Sequence, residues 1–169
     1  MIVEKFFEKK IKRDYFFIEG KIKINSKYFI EKIHEGLEIP DNQTVLTNVK
    51  GLMTPWKYFN RDKNFLEILF KFYDLVDENL DLPAYKLRDS WGICVPNGGF
   101  TKFHNHNSGW AGVLYLNEHD QNLEFPDIKQ TIRPETGKFV LFSSFLNHGC
   151  KRHRCDNYKY GISFNISGY

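Results

Sequence analysis

From about residue 85 onward the chain is a succession of short aromatic and β-branched runs, broken by turn residues roughly every 8–12 positions. This rhythm constrains the fold more than any other feature. It predicts strands over 90–95, 100–106, 110–116, 123–125, 131–134, 138–142, 148–153 and 158–166. Pro96-Asn97-Gly98-Gly99 and Glu135-Thr136-Gly137 carry the turn chemistry between them. About eight short strands with regular turns favour a sandwich or small barrel over a doubly wound α/β sheet. Before residue 85 the apolar spacing is helical. Ser26 is placed to cap a helix over 27–35, with Phe29, Ile30 and Ile33 on its inner face. A second helix is expected over 62–79, where Leu66, Leu69, Phe70, Tyr73 and Val76 recur at helical spacing and Phe65 and Phe72 widen the stripe. Leu82-Pro83 marks its end, because a residue before proline prefers extended geometry. The expected architecture is mainly β, with flanking helices buttressing one sheet. It forms one domain, with helical support over about 1–85 and a β core over about 86–169.

Composition narrows the classes further. A chain of 169 residues fits a single domain, and 41% hydrophobic with 17% aromatic content suffices for a packed core. No apolar run approaches the roughly 18–20 residues of a spanning helix, so no membrane partner is expected. The first residues set Glu4 and Glu8 among lysines without a continuous apolar stretch, unlike a secretory signal. Cys94, Cys150 and Cys155 are odd in number and form no CxxC pair, which argues against a disulfide framework and for a reducing cytoplasm. A net charge of +3 neither requires nor excludes nucleic acid. The aromatic-rich edge strands leave room for a homodimer.

Four histidines lie in the β half away from its acidic stretch: His104, His106, His148 and His153. His104 and His106 are two apart on an expected strand, so period-two alternation puts both rings on one face. Two such imidazoles can grip one metal ion, and His148, after the run FVLFSS and a bend, is the best third ligand. The bland alternatives are histidines without a metal, or a structural zinc using Cys150. The latter lacks the paired Cys spacings that closed zinc sites usually show.

The stretch DSWGICVPNGGFTKFHNHNSGWAGVLYLN, followed by LEF, RPETGKFVLFSSFLNH and YGISFNI, resembles the short, single-domain iron(II)/2-oxoglutarate oxygenases. In that family an HxH precedes an SGVYYL-like strand, and a PxxGxLxxFPSxxxH segment and a terminal RxSxSFN strand follow. TNVKGLMTPW is similar to its Asn-x-x-Gly-Trp region, so the resemblance spans roughly residues 47–166. It implies a double-stranded β-helix (jelly-roll, cupin-like) core holding Fe(II) and 2-oxoglutarate. The implied activity is that of an oxidoreductase, a dioxygenase that hydroxylates its substrate while 2-oxoglutarate is decarboxylated to succinate.

Carried over by position, the resemblance makes His104 the first metal ligand and His148 the distal one. His106 stands where the wider family has Asp or Glu, a departure from the two-His-one-carboxylate rule. A three-histidine site, or entry of Glu124 or Asp120, would complete the shell. Lys159 takes the place of the usual arginine for the cofactor's distal carboxylate, as a point charge rather than a fork. Gly161 replaces a frequent serine, while Ser163 lies on the same face. Tyr115 has a hydroxyl to offer the same carboxylate, and Arg152 and Arg154 are rival cations. Asn48, Trp110 and Arg152 are candidate substrate contacts, and Trp56 a candidate wall, each with a plainer role in turns, core packing or a solvated edge. The substrate is left open among a protein side chain, a nucleobase and a small molecule. The competing reading is a non-redox, cupin-like metal protein, an isomerase or a sensing module, since fold alone does not fix function.

Overall fold

The computed structural model describes residues 14–39, 48–79, 85–107 and 109–168. It contains β1 (Phe17–Lys21), α1 (Ser26–Leu37), β2 (Val49–Lys50), β3 (Leu52–Met53), α2 (Lys63–Asn79), β4 (Tyr85–Val95), β5 (Phe100–His104) and β6 (Trp110–Tyr115). These are followed by β7 (Leu123–Phe125), a short 3-10 turn, β8 (Gln130–Ile132), β9 (Lys138–Ser143), β10 (His148–Cys150) and β11 (Lys159–Gly168). The strands make two antiparallel sheets, a six-stranded one in the order β1-β9-β6-β11-β4-β3 and a five-stranded one in the order β2-β5-β10-β7-β8. The result is mainly β with a jelly-roll arrangement and helices on one flank.

Alternation decides what each strand faces. On β6, Trp110 and Leu114 point to the helices, while Ala111, Val113 and Tyr115 point between the sheets. On β9 the outward pair is Phe139 and Leu141, and the inward pair is Val140 and Phe142. On β11, Ile162, Phe164 and Ile166 join the helix side. That side is completed by Phe29 and Ile33 of α1 and by Phe65, Leu69, Phe72 and Val76 of α2. Leu123, Phe125, Ile132 and Cys150 of the smaller sheet close the inner layer.

The helices begin where capping chemistry allows. Asn25, not Ser26, caps α1: its Oδ1 accepts the Tyr28 N–H at 3.2 Å. Asp62 caps α2 by accepting the Phe65 N–H at 2.8 Å, and its other oxygen accepts the Tyr28 hydroxyl at 2.6 Å, tying the two helices together. Gly98 and Gly137 have φ of 75° and 79°, so both turns need glycine's left-handed freedom. The expected helix end at Leu82-Pro83 lies outside the described residues.

The segment before residue 85 is less helical than its spacing suggests. It also supplies β1, which extends the large sheet by pairing with β9, and β2 and β3, which pair with β5 and β4. Strand β4 starts at Tyr85 rather than Ser90, and β5 stops at His104 rather than His106.

Candidate metal centre

His104 closes β5 and His148 opens β10, and the two are direct cross-strand partners. This register, rather than a long-range barrel closure, sets their rings 4.5 Å apart between centroids. His106 arrives differently. Strand β5 has already ended, so alternation within a strand does not place it. Its backbone is instead held by Ser144: the His106 N–H donates to the Ser144 carbonyl at 2.8 Å, and the Ser144 hydroxyl donates to the His106 carbonyl at 3.2 Å. The ring then lies 4.8 Å from that of His104 and 5.1 Å from that of His148.

The hydrogen bonds fix two tautomers. His104 Nδ1–H donates to the Lys102 carbonyl at 2.7 Å, and His148 Nδ1–H donates to the Leu146 carbonyl at 2.9 Å. Each therefore keeps its lone pair on Nε2, with the carbonyl partner that metal-ligating histidines commonly carry. Nε2 of His106 and Nε2 of His148 are 3.3 Å apart. Two nitrogens bound to one ion at about 2.1 Å would be separated by roughly 3.0–3.4 Å. Burial lowers the proton affinity of all three rings. It sets His148 at about 3, with a further contribution from the other two rings, and His106 at about 4, with His104 and Arg88 adding to the effect. All three are neutral near pH 7, the form that ligates a cation. Phe125 and Phe142 flank His148 and hold its plane. The donor set fits a divalent metal.

The three histidines line a narrow cavity of about 80 Å³ between the sheets. Lys159, Ser163 and Tyr115 line it too, so the structure brings the expected cofactor contacts to the same chamber. Lys159 is 1% exposed, and its ammonium donates to Cys150 Sγ at 3.4 Å. No carboxylate lines this cavity among the described residues. Burial pushes the Tyr115 phenol well above its ordinary value, and Cys150 adds to the shift. Trp91 Nε1 and Asn165 Oδ1 are buried in the lining without a hydrogen-bond partner, a donor and an acceptor available to a ligand. A buried cation and an unpaired donor fit a small anion such as a dicarboxylate. A wider vestibule of about 450 Å³ adjoins the chamber. It is lined by Trp56, Arg88, Asp89 and Asn107, and it shares His106 and Asn165 with the inner cavity.

Other candidates fall elsewhere. Trp110 is 1% exposed and packs on the helix side against Phe16, Tyr73 and Phe164, because its strand position has the opposite parity to Tyr115. It is a core residue, not a substrate contact. Arg152 is exposed and lies over the Phe100 ring at 5.4 Å, outside both chambers, and Arg154 is exposed as well. Asn48 is exposed and contributes its carbonyl to the Lys102 N–H at 2.7 Å. Neither carboxylate substitute reaches the metal position: Glu124 pairs with Lys151 at 2.8 Å and Asp120 with Arg133 at 3.0 Å. Sequence reasoning missed Trp91 and Asn165. Asn165 shares parity with Lys159 and Ser163 on β11, and Trp91 is the cross-strand partner of Ser163. The alternation that located Ser163 was enough to find them.

No protein-family model matches the sequence, and no curated protein does. Solved structures do match over nearly the whole chain. A collagen prolyl hydroxylase of Paramecium bursaria Chlorella virus-1, bound to 2-oxoglutarate, superposes with a TM-score of 0.72 at 17% identity, covering 92% of this chain and 96% of the viral one. A prolyl-4-hydroxylase of Pseudomonas putida gives 0.67 at 12% identity, with 90% and 92% covered. HygX of Streptomyces hygroscopicus, with nickel, 2-oxoglutarate and hygromycin B bound, gives 0.65 at 11% identity, with 91% and 82% covered. The fold of this chain is that of the iron(II)/2-oxoglutarate oxygenases.

Proposed function

We propose that the protein is an Fe(II)- and 2-oxoglutarate-dependent dioxygenase, a hydroxylase acting from a single domain. The observation that carries the reading is the pairing, in one buried chamber, of three neutral imidazoles with a lysine ammonium, with no carboxylate lining that chamber among the described residues. A metal-only protein of the cupin type has no use for that cation. His104, His106 and His148 would hold the metal, and Lys159, with Ser163 and Tyr115, would receive the distal carboxylate of 2-oxoglutarate.

With metal and cofactor bound, such a site supplies dioxygen activation and couples oxidation of a C–H bond to release of succinate and carbon dioxide. The chain's own residues do the rest. The Lys102 and Leu146 carbonyls keep His104 and His148 in the ligating tautomer. Val113, Ile93 and Phe142 keep the inner chamber dry, which strengthens the Lys159–carboxylate attraction. His106 and Asn165 stand at the boundary with the vestibule, so a substrate entering past Trp56 would meet the metal there. The width of that vestibule supports a substrate presented from outside, a peptide side chain or a small molecule. The three free cysteines support a reducing, cytoplasmic setting. Among the described residues no helix is long and apolar enough to cross a membrane.

The test is anaerobic titration of the metal-free protein with Fe(II) and then 2-oxoglutarate, followed by succinate detection in air. A saturable visible band on adding 2-oxoglutarate, lost in His104→Ala and His148→Ala with the fold retained, supports the reading. Iron binding with no response to 2-oxoglutarate overturns it and favours the non-redox, cupin-like alternative.

A further inference from the structure

A second group of metal-competent side chains lies apart from the three histidines, in the loop after β6 and the loop before β11. We propose that His119, His153 and Cys155 form a thiolate–imidazole metal site of the zinc type, fastening the loop before β11 to the loop after β6. Their ligand atoms all lie within 4.8 Å of one another, and the rings of His119 and His153 are 4.4 Å apart between centroids, edge to face. A tetrahedral site with metal–nitrogen bonds of about 2.1 Å and a metal–sulfur bond of about 2.3 Å spaces its ligand atoms by roughly 3.3–3.8 Å. A contraction of at most about an ångström therefore closes the cluster. Cys155 is a free thiol, half-buried.

His153 supplies an independent observation. Both of its ring nitrogens are out of water, and neither makes a hydrogen bond of adequate geometry, although the Gly99 carbonyl lies near the ring. Buried polar atoms are nearly always partnered, so an imidazole with two orphan nitrogens marks a place where something binds. Gln121 Oε1, beside it in the same loop network, is also buried and unpartnered. His119 is prepared for the role. It is 4% exposed, its Nε2–H donates to the Asn157 carbonyl at 3.1 Å, and its Nδ1 accepts the Gln121 N–H at 3.0 Å. Coordination through Nδ1 exchanges the Gln121 contact for the metal and keeps the carbonyl partner on the opposite nitrogen, as ligating histidines commonly have it. The Lys159 charge acts on both rings against a bare cation, and Asp120 acts on both in the opposite sense. The Cys155 thiolate would tip that balance toward binding.

The loops are already joined by polar contacts. Gln121 Nε2 donates to the carbonyls of Gly99 and Lys151, and Asn117 bonds the backbone of Tyr158 and Tyr160. A metal would add the strongest of these ties next to Lys159, the first residue of β11. A bearing on 2-oxoglutarate docking would then follow, and that consequence alone rests on the proposed oxygenase reading.

The experiment is an anaerobic cobalt(II) titration of the reduced, metal-free full chain, followed by absorbance. The expected result is two equivalents bound, with a thiolate-to-cobalt band in the near ultraviolet and the strong visible bands of a four-coordinate site. Cys155→Ser should abolish the thiolate band and leave one equivalent, and His153→Asn should do the same, with folding checked by circular dichroism. The double variant His104→Ala/His148→Ala should keep the thiolate band and lose the other equivalent. A thiolate band that survives Cys155→Ser, or a wild-type chain that binds one equivalent without it, overturns the second site. Neither outcome depends on the response to 2-oxoglutarate.

Discussion

Replacing Lys159 by methionine separates a cofactor contact from a structural lysine, because the two roles predict opposite signs for stability. The ammonium is 1% exposed, and its hydrogen bond among the described residues is to a thiol at 3.4 Å. Withdrawing a charge from water costs several kcal/mol, and one long contact to sulfur returns only part of it. Methionine matches the length of the side chain and removes the charge, so Lys159→Met should stabilise the ligand-free protein by about 1–3 kcal/mol. The same change removes the only cation lining the inner cavity among the described residues. Loss of a buried charged partner should weaken 2-oxoglutarate binding by about 2–4 kcal/mol, roughly 30- to 700-fold in Kd. The assay is thermal unfolding with nickel as a redox-inert metal, with and without 2-oxoglutarate. At a ligand concentration near 100 times the wild-type Kd, the wild type should gain about 2.7 kcal/mol and the variant about 0.1–0.9 kcal/mol. A variant that keeps the 2-oxoglutarate shift, or that is destabilised without ligand, refutes the reasoning and makes Lys159 a packing residue.

Three further outcomes follow from the packing and the electrostatics. Asp62→Ala removes the cap of α2 and the acceptor of the Tyr28 hydroxyl together, and should cost about 1–2 kcal/mol in urea unfolding; no change would mean that the helix pair is held by apolar contacts alone. Gly92→Ala places a methyl against Ile33 and within 3.2 Å of Phe59, so it should cost about 1–3 kcal/mol while leaving metal affinity in the cavity unchanged, measured by the same unfolding and by metal titration. The metal-free protein should lose stability as the pH falls below about 6.5. There the unfolded chain takes up protons that His106, at about 4, and His148, at about 3, refuse when folded, for about 2 kcal/mol per ring at pH 5. A flat denaturant midpoint from pH 7 to pH 5 would contradict that burial.

What could be read from the sequence followed the strength of the periodic signal. Strands β6, β9 and β11 and both helices are long enough for their apolar spacing to show, and turn residues mark off the three-residue strands between them. The earlier strands are not. Strands β2 and β3 have two residues each, too few for any alternation, and β1 reads FIEGK, where glycine and charges mask the period. Strand β4 was placed too late because Lys86 and Arg88 interrupt the apolar run, yet those positions belong to an alternating strand. The site was legible where alternation applied. Lys159 and Ser163 fall on the inner face of β11 because they share parity, and the same parity sends Trp110 to the helices while Tyr115 turns inward. His106 shows the opposite case. The ring reaches its neighbours although its strand ends two residues earlier, and contacts with Ser144, distant in sequence, do the positioning. His119 sits in the acidic stretch between Glu118 and Asp120, where spacing gives no sign of burial, but the backbone turns it inward and leaves Asp120 paired with Arg133 at the surface.

Charge ties these observations together. In the proposed metal site, a histidine at position 106, where the resembled family has a carboxylate, leaves one negative charge fewer, and no acidic side chain lines the inner cavity among the described residues to restore it. A divalent metal beside the Lys159 ammonium therefore leaves the chamber with an unbalanced positive charge in a dry, low-dielectric setting. Such a chamber is costly until an anion enters, and a dianion reduces the imbalance far more than a monoanion does. The departure from the usual ligand set thus bears on cofactor affinity as much as on metal choice. On the proposed reading, it strengthens the demand for a doubly charged ligand of the size of 2-oxoglutarate, and metal and dicarboxylate binding would be mutually dependent.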